Sequence, residues 1–197
     1  MPNPSPLQPG VYYHIYNRGN NGEDIFREER NYAYFLKLYA QHILPVADTL
    51  TYCLMRNHFH LLIYVRVDVM NQKTAAKGMS PISQGFADLF KAYTQAINKA
   101  HARTGSLFEH PFHRRPVTEN AYFNNLVVVY IHQNPQKHGF VKDFRDWRYS
   151  SYHTLMSDGA SRLKRAKLME QFAGREQFDE AHKIVRNDAW LNEQDFD

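Results

Sequence analysis

Leu50-Thr51-Tyr52-Cys53-Leu54-Met55-Arg56-Asn57-His58-Phe59-His60-Leu61-Leu62-Ile63-Tyr64-Val65-Arg66-Val67 contains two runs of β-forming residues, Leu50 to Met55 and Phe59 to Val67. Arg56-Asn57 separates them, a break short enough for an antiparallel hairpin. Strand alternation then places His58 and His60 on one face and Phe59, Leu61 and Ile63 on the other. Two imidazoles about 7 Å apart along one strand can converge on a single ion. The same spacing also suits one histidine in a polar contact and one in solvent, so the pair alone names no chemistry.

Outward from the hairpin, Val11 to Tyr16 reads as a strand that stops at the turn cluster Asn17-Arg18-Gly19-Asn20-Asn21-Gly22. Glu28 to Ile43 carries Tyr32, Phe35, Leu36 and Tyr39 at helical spacing, and Pro45 closes that helix. Asp68 to Pro81 has no apolar period and reads as a surface loop. Phe86, Leu89, Phe90, Tyr93 and Ile97 mark a second helix that ends near Gly105. His113-Arg114-Arg115-Pro116-Val117 suits an edge strand, where proline is tolerated. Thr118 then serves as N-cap of a third helix, with Glu119 in its first turn and an expected stop near Pro135. Strand, helix, two strands, helix, strand, helix describes an α+β fold: an antiparallel ferredoxin-like (RRM-like) sheet with helices packed on it. Residues 1–155 form that unit. From Met156 to Asp197 the chain turns polar and basic, with Arg162, Lys164, Arg165 and Lys167 around Leu163 and Leu168, and is expected to be a helical appendage.

Composition bounds the function without choosing it. The 197 residues are 43% hydrophobic and 22% charged, enough for one buried core and too few for two catalytic domains. A net charge of +4 and a pI near 9.1 permit a polyanionic partner. Tyr and Phe, 13 each, supply either core packing or stacking platforms for bases. Cys53 is the sole cysteine, which excludes an intrachain disulfide and a Cys-rich zinc module. Met1 to Gly10 lacks a basic and apolar leader, and nowhere do about 18 apolar residues run together. The expectation is a soluble cytoplasmic protein without a membrane partner.

Tyr122, Leu126, Tyr130 and Asn134 recur every fourth residue and share one face of the third helix, with Tyr130 one turn from Asn134. An amide oxygen can complete a site begun by two histidines, and a phenol beside it can attack an electrophile held there. A core tyrosine and a helix-ending Asn-Pro explain the same spacing.

Taken together, four ordered blocks resemble a family. Tyr12-Tyr13-His14-Ile15-Tyr16-Asn17-Arg18-Gly19, Met55-Arg56-Asn57-His58-Phe59-His60-Leu61-Leu62, Gly105-Ser106-Leu107-Phe108 and Tyr130-Ile131-His132-Gln133-Asn134-Pro135 are similar to the REP-associated tyrosine transposases. Those are single-tyrosine members of the HUH endonucleases. The likeness runs from about Tyr12 to Tyr152 and takes in Trp147-Arg148-Tyr149-Ser150-Ser151-Tyr152. It implies His58 and His60 as metal ligands, Asn134 as third ligand, Tyr130 as nucleophile, and Mg²⁺ or Mn²⁺ as the ion. Two imidazoles would on chemical grounds suit Zn²⁺ equally. The implied substrate is single-stranded DNA beside a hairpin, cut to a 5′-phosphotyrosine and a free 3′-OH. Asn17, Arg18, Arg114 and Arg115 are the candidate DNA contacts, and either a monomer or a homodimer fits. Two other readings compete: a DNA- or RNA-binding protein that has lost cleavage, and a hydrolase that uses the two-histidine site to activate water.

Overall fold

A computed structural model describes residues 6–71, 79–117 and 127–184. The hairpin forms as expected: β2 (Ala47–Leu54) and β3 (His58–Val65) pair antiparallel, and the Met55 N–H donates to the His58 carbonyl at 2.8 Å across Arg56-Asn57. β1 (Tyr12–Arg18) pairs with β3 on one side and with β4 (His113–Val117) on the other, giving the order β2-β3-β1-β4 with every pairing antiparallel. This is the ferredoxin-like arrangement, and Pro116 lies on the edge strand, where its missing N–H costs no interior ladder bond.

Two helices cover one face. α1 (Glu29–His42) starts in a reciprocal cap between Glu28 and Asn31, and α2 (Pro81–Ala100) starts where the Ser80 hydroxyl accepts from the Ser83 N–H. Gly85 lets them meet: a Cβ there would sit 2.6 Å from the His42 carbonyl oxygen. Ile15, Phe35, Phe59, Phe86 and Tyr93 are sealed in this layer, each contributing about 1.5–3 kcal/mol of apolar burial.

The opposite face carries α3 (Val128–Lys137), whose Val128 and Ile131 pack with Leu50, Cys53 and Leu62 of the sheet. Thr118, Glu119, Tyr122 and Leu126 lie outside the described residues, as do Lys73, Lys77 and Gly78. The helix ends near Pro135, as expected, but not at it. It runs through that residue to Lys137, because so near the end the ring removes only one hydrogen bond. The stop signal is Gly139, at φ +71°: its N–H donates to the Gln136 carbonyl, and the Phe140 N–H donates to that of Pro135.

Beyond the sheet, Trp147 to Ser151 runs along the β2 edge, with the Trp147 indole N–H on the Leu54 carbonyl and the Tyr52 N–H on the Ser151 hydroxyl. That block therefore has a structural role. α4 (Tyr152–Met156), α5 (Arg165–Gln171) and α6 (Arg175–Lys183) follow. Leu168, Phe172 and Phe178 are buried in the same cluster as Val128 and Ile131. His182 of α6 closes a polar web beneath α3: its Nε2 meets His132 Nδ1 at 2.8 Å, and His132 Nε2 meets the hydroxyls of Thr51 and Ser151 at 2.6 and 2.8 Å. A β-bulge between Thr49 and Thr51 places Thr51 opposite Leu62, on the α3 face. Among the described residues, no helix is long and apolar enough to cross a membrane.

This web makes the fold acid-sensitive. Burial lowers the His182 pKa to about 4, against 6.5 for a free imidazole. Below pH 6.5 the unfolded chain takes up a proton that the folded chain refuses, so stability present above that value drains away as pH falls toward 4. The loss amounts to roughly 3 kcal/mol from this residue alone. Thermal melts between pH 7 and 4 should show it. His182→Ala should be less stable at pH 7 by about 1–3 kcal/mol and lose stability less steeply on acidification. An unchanged slope would remove His182 from the account.

Candidate active site

His58 and His60 fall on the α3 face of β3, their rings perpendicular with centroids 5.3 Å apart. Each ring is anchored through Nδ1. His58 Nδ1 lies 2.8 Å from Asn57 Oδ1, an oxygen that only accepts, so Nδ1 carries a proton, and in the neutral ring Nε2 keeps its lone pair. That Nε2 faces Asn134 Oδ1 at 3.2 Å. Two acceptors at this separation repel unless a cation, a proton or a metal ion, lies against both. Asn134 is fully buried on α3, and its amide nitrogen has no hydrogen-bond partner among the described residues.

His60 is buried, and its Nδ1 lies 3.0 Å from Nε2 of His14, itself buried on β1. Burial, with the Arg115 charge adding to it, lowers the His14 pKa to about 3, so His14 is neutral and its Nε2 can accept. Burial first, then the cost of adding charge beside His14, His58 and His138, hold His60 neutral too, the form in which an imidazole ligates. Among the described residues no group of three or more His, Cys, Asp or Glu side chains could hold a metal ion. The donor set that fits one is two neutral imidazoles and an amide oxygen, which leaves positions open for phosphate oxygens.

Tyr130 projects from α3 to the same place, edge-on to His60 at 5.4 Å between ring centroids. Its helix is held in rotation from behind: His132 and Gln133 face away from the site, and the Gln133 amide donates to the His182 carbonyl at 2.9 Å. A cleft of about 300 Å³ opens in front, lined by Tyr16, Arg18, Asn57, His58, His113 and His138 among others.

The proposed DNA contacts separate. Arg18 lies opposite His58 on the site face, 3.4 Å from a Glu109 carboxylate oxygen. Arg115 lies opposite His14, also on that face, and is exposed. Arg114 lies opposite Ile15 on the α1/α2 face, with its guanidinium 4.4 Å over the Phe112 ring, so it is not brought to the cleft. Asn17 is buried opposite Phe59 and ties the turn, donating to the Glu109 carbonyl and accepting from the Arg18 N–H. Gly19 completes that turn, since a Cβ would lie 2.1 Å from the Glu23 carbonyl oxygen. Sequence reading missed His14, Asn57 and the ring pair Tyr16–His113, stacked at 4.8 Å and 10°. Same-face alternation of His14 and Tyr16 was the available signal, whereas Asn57 read as a plain turn residue.

The four-stranded antiparallel sheet with helices packed on it matches the fold of a solved tyrosine transposase. In particular, the chain is similar to REP-associated tyrosine transposases in both sequence and fold. No family model matches it. A Haemophilus influenzae protein described as a REP-associated tyrosine transposase is 26% identical over 108 residues, 54% of this chain and 59% of the relative. The match thus spans about three fifths of that relative's length. A REP-associated tyrosine transposase solved with a REP hairpin superposes with a TM-score of 0.59 at 16% identity, over 82% of this chain and 87% of the other.

Proposed function

We propose that the chain is a single-strand DNA endonuclease and transesterase of the transposase type, with Tyr130 as its nucleophile. The observation that carries the reading is the convergence of His58 Nε2 and Asn134 Oδ1 at 3.2 Å, with the Tyr130 ring beside His60. His58, His60 and Asn134 would hold a divalent ion, Mg²⁺ or Mn²⁺, which supplies positive charge to the non-bridging phosphate oxygens. Asn57 and His14 fix the two rings so that both Nε2 atoms face the site. Tyr130 Oη attacks the phosphorus, the new O–P bond forms as the P–O3′ bond breaks, and the 3′ oxygen leaves as a hydroxyl. Reversal by another 3′-OH rejoins DNA without ATP, because the phosphotyrosine stores the linkage where hydrolysis would lose it. Both alternatives, a binding protein without cleavage and a water-activating hydrolase, leave Tyr130 idle.

A labelled single-stranded hairpin incubated with the chain and Mn²⁺ should give a denaturant-resistant adduct whose nucleotide maps to Tyr130. Cleavage without an adduct would favour the hydrolase, and binding without cleavage the non-catalytic protein.

Binding should favour hairpin or single-stranded DNA over perfect duplex and weaken as salt rises through counterion release. Arg18→Ala should lower discrimination between hairpin sequences by on the order of tenfold, with a smaller loss of overall affinity. Competition binding with altered hairpins reads the ratio. A uniform loss across sequences would reassign Arg18 to the backbone.

A further inference from the structure

Tyr16 of β1 lies directly opposite His60 of β3 on one side and His113 of β4 on the other, so three rings stand in one row across the site face of the sheet. Tyr16 and His60 are stacked with centroids 5.7 Å apart at 25°, Tyr16 and His113 at 4.8 Å and 10°. The row starts at a proposed metal ligand and ends on the edge strand. There Tyr16 covers one face of the His113 imidazole, no strand lies beyond β4 among the described residues, and His113 is exposed. The residue also lines the cleft in front of His58. Strand alternation adds a guanidinium at each end: Arg18 stands two residues beyond Tyr16, opposite His58, and Arg115 two residues beyond His113, opposite His14. Because β1 and β4 run antiparallel, the two charges flank the row from opposite directions. Nothing in the transesterification described above uses His113.

A cross-strand ring pair stabilises a sheet, and that alone would account for Tyr16 and His113. It does not account for an outer ring left in water beside a cleft, with a cation to either side. A nucleobase supplies the missing partner: it has a flat face that stacks on a ring whatever the base, and the phosphates next to it carry the charge that Arg18 and Arg115 would meet. An acidic peptide would answer the two charges but offers no such face. Tyr16 already fixes the imidazole, so little side-chain freedom is lost when a base arrives. We propose that His113, braced by Tyr16, is a stacking subsite for one unpaired nucleobase of the single strand beside the hairpin, a strand whose scissile phosphate lies at His58 and His60. The base on His113 holds that strand across the sheet and so helps to aim the phosphate at Tyr130. Stacking reads no base edge, so the subsite accepts any of the four bases. This rests on the reading of the cleft as a single-strand DNA site.

The test measures binding in chelator, so that no strand is cut, with a hairpin carrying a single-stranded flank in which each base in turn is replaced by an abasic sugar. For the wild-type chain one flank position should stand out, loss of its base costing on the order of tenfold in affinity. His113→Ala should lose about as much on the intact flank and then be indifferent to the abasic sugar at that position. His113→Phe keeps a ring and carries no charge, and should bind like wild type with the same salt slope. A hairpin without the flank should bind all three chains equally. A flat abasic scan of the wild-type chain overturns the proposal, and that arm needs no variant to fold. Additive losses from His113→Ala and every abasic sugar overturn it as well. So does His113→Phe binding as weakly as His113→Ala with a shallower salt slope, which would make His113 a phosphate contact. Incubation with Mn²⁺ separates this from the proposed chemistry. No Tyr130 adduct beside an intact abasic pattern sinks the nucleophile and leaves the subsite standing, whereas an adduct beside a flat scan does the reverse.

Discussion

Tyr130→Phe is expected to abolish covalent attachment to DNA and to reduce cleavage by a factor on the order of 10⁴ or more, since no other group replaces a lost nucleophile. The substitution removes one hydroxyl and keeps the ring. Tyr130 is only partly buried and packs at the margin of the second cluster, so its melting temperature and circular dichroism should stay close to wild type. Hairpin affinity should also persist, because backbone charge neutralisation supplies most of it. Denaturing electrophoresis of a labelled hairpin with Mn²⁺ gives the result directly. An adduct that survives in Tyr130→Phe, or one that maps to Tyr16 in the cleft, would place the nucleophile elsewhere while leaving the fold assignment untouched.

His58→Ala and His60→Ala should each cost at least on the order of 10²-fold in cleavage, but they should differ in stability. His58 is half-buried beside a hairpin turn, and its loss frees Asn57 and Asn134 at little cost to the core. His60 is sealed between β1 and β2, and its loss strands His14 Nε2, a buried acceptor. Leaving such a group unsatisfied costs about 1–3 kcal/mol. His58→Ala is therefore the cleaner probe: wild-type melting, near-wild-type hairpin binding and no cleavage at any Mn²⁺ concentration is the expected result. Mn²⁺ affinity, read by calorimetry on the DNA-free chain, should fall in the same variant. Full activity in His58→Ala, or cleavage by the wild-type chain in excess chelator, would refute the metal reading.

The element order was legible because each element announces itself locally. Period-two alternation marks β3, period 3.6 marks α1 and α2, and turn residues punctuate them, all within about ten residues of chain. The end of α3 was legible to within two residues for a related reason. Pro135 is a strong local stop signal, yet one lost hydrogen bond near a helix end is cheap, and Gly139 with its left-handed φ is where the terminal carbonyls are satisfied.

Alternation by itself determined that His58 and His60 share a face, and helical spacing determined that Tyr130 and Asn134 do. Which faces meet was a matter for the tertiary structure alone, because it depends on the rotation of α3 over the sheet. That rotation is held by His132 on Thr51 and Ser151 and by His182 from α6, partners 19 to 81 residues away along the chain. The same holds for His14, whose bond to His60 spans 46 residues, and for which of Arg114 and Arg115, already opposed by strand alternation, shares the site face. Local periodicity orients a side chain relative to its own element. Only packing between distant elements decides what that side chain confronts.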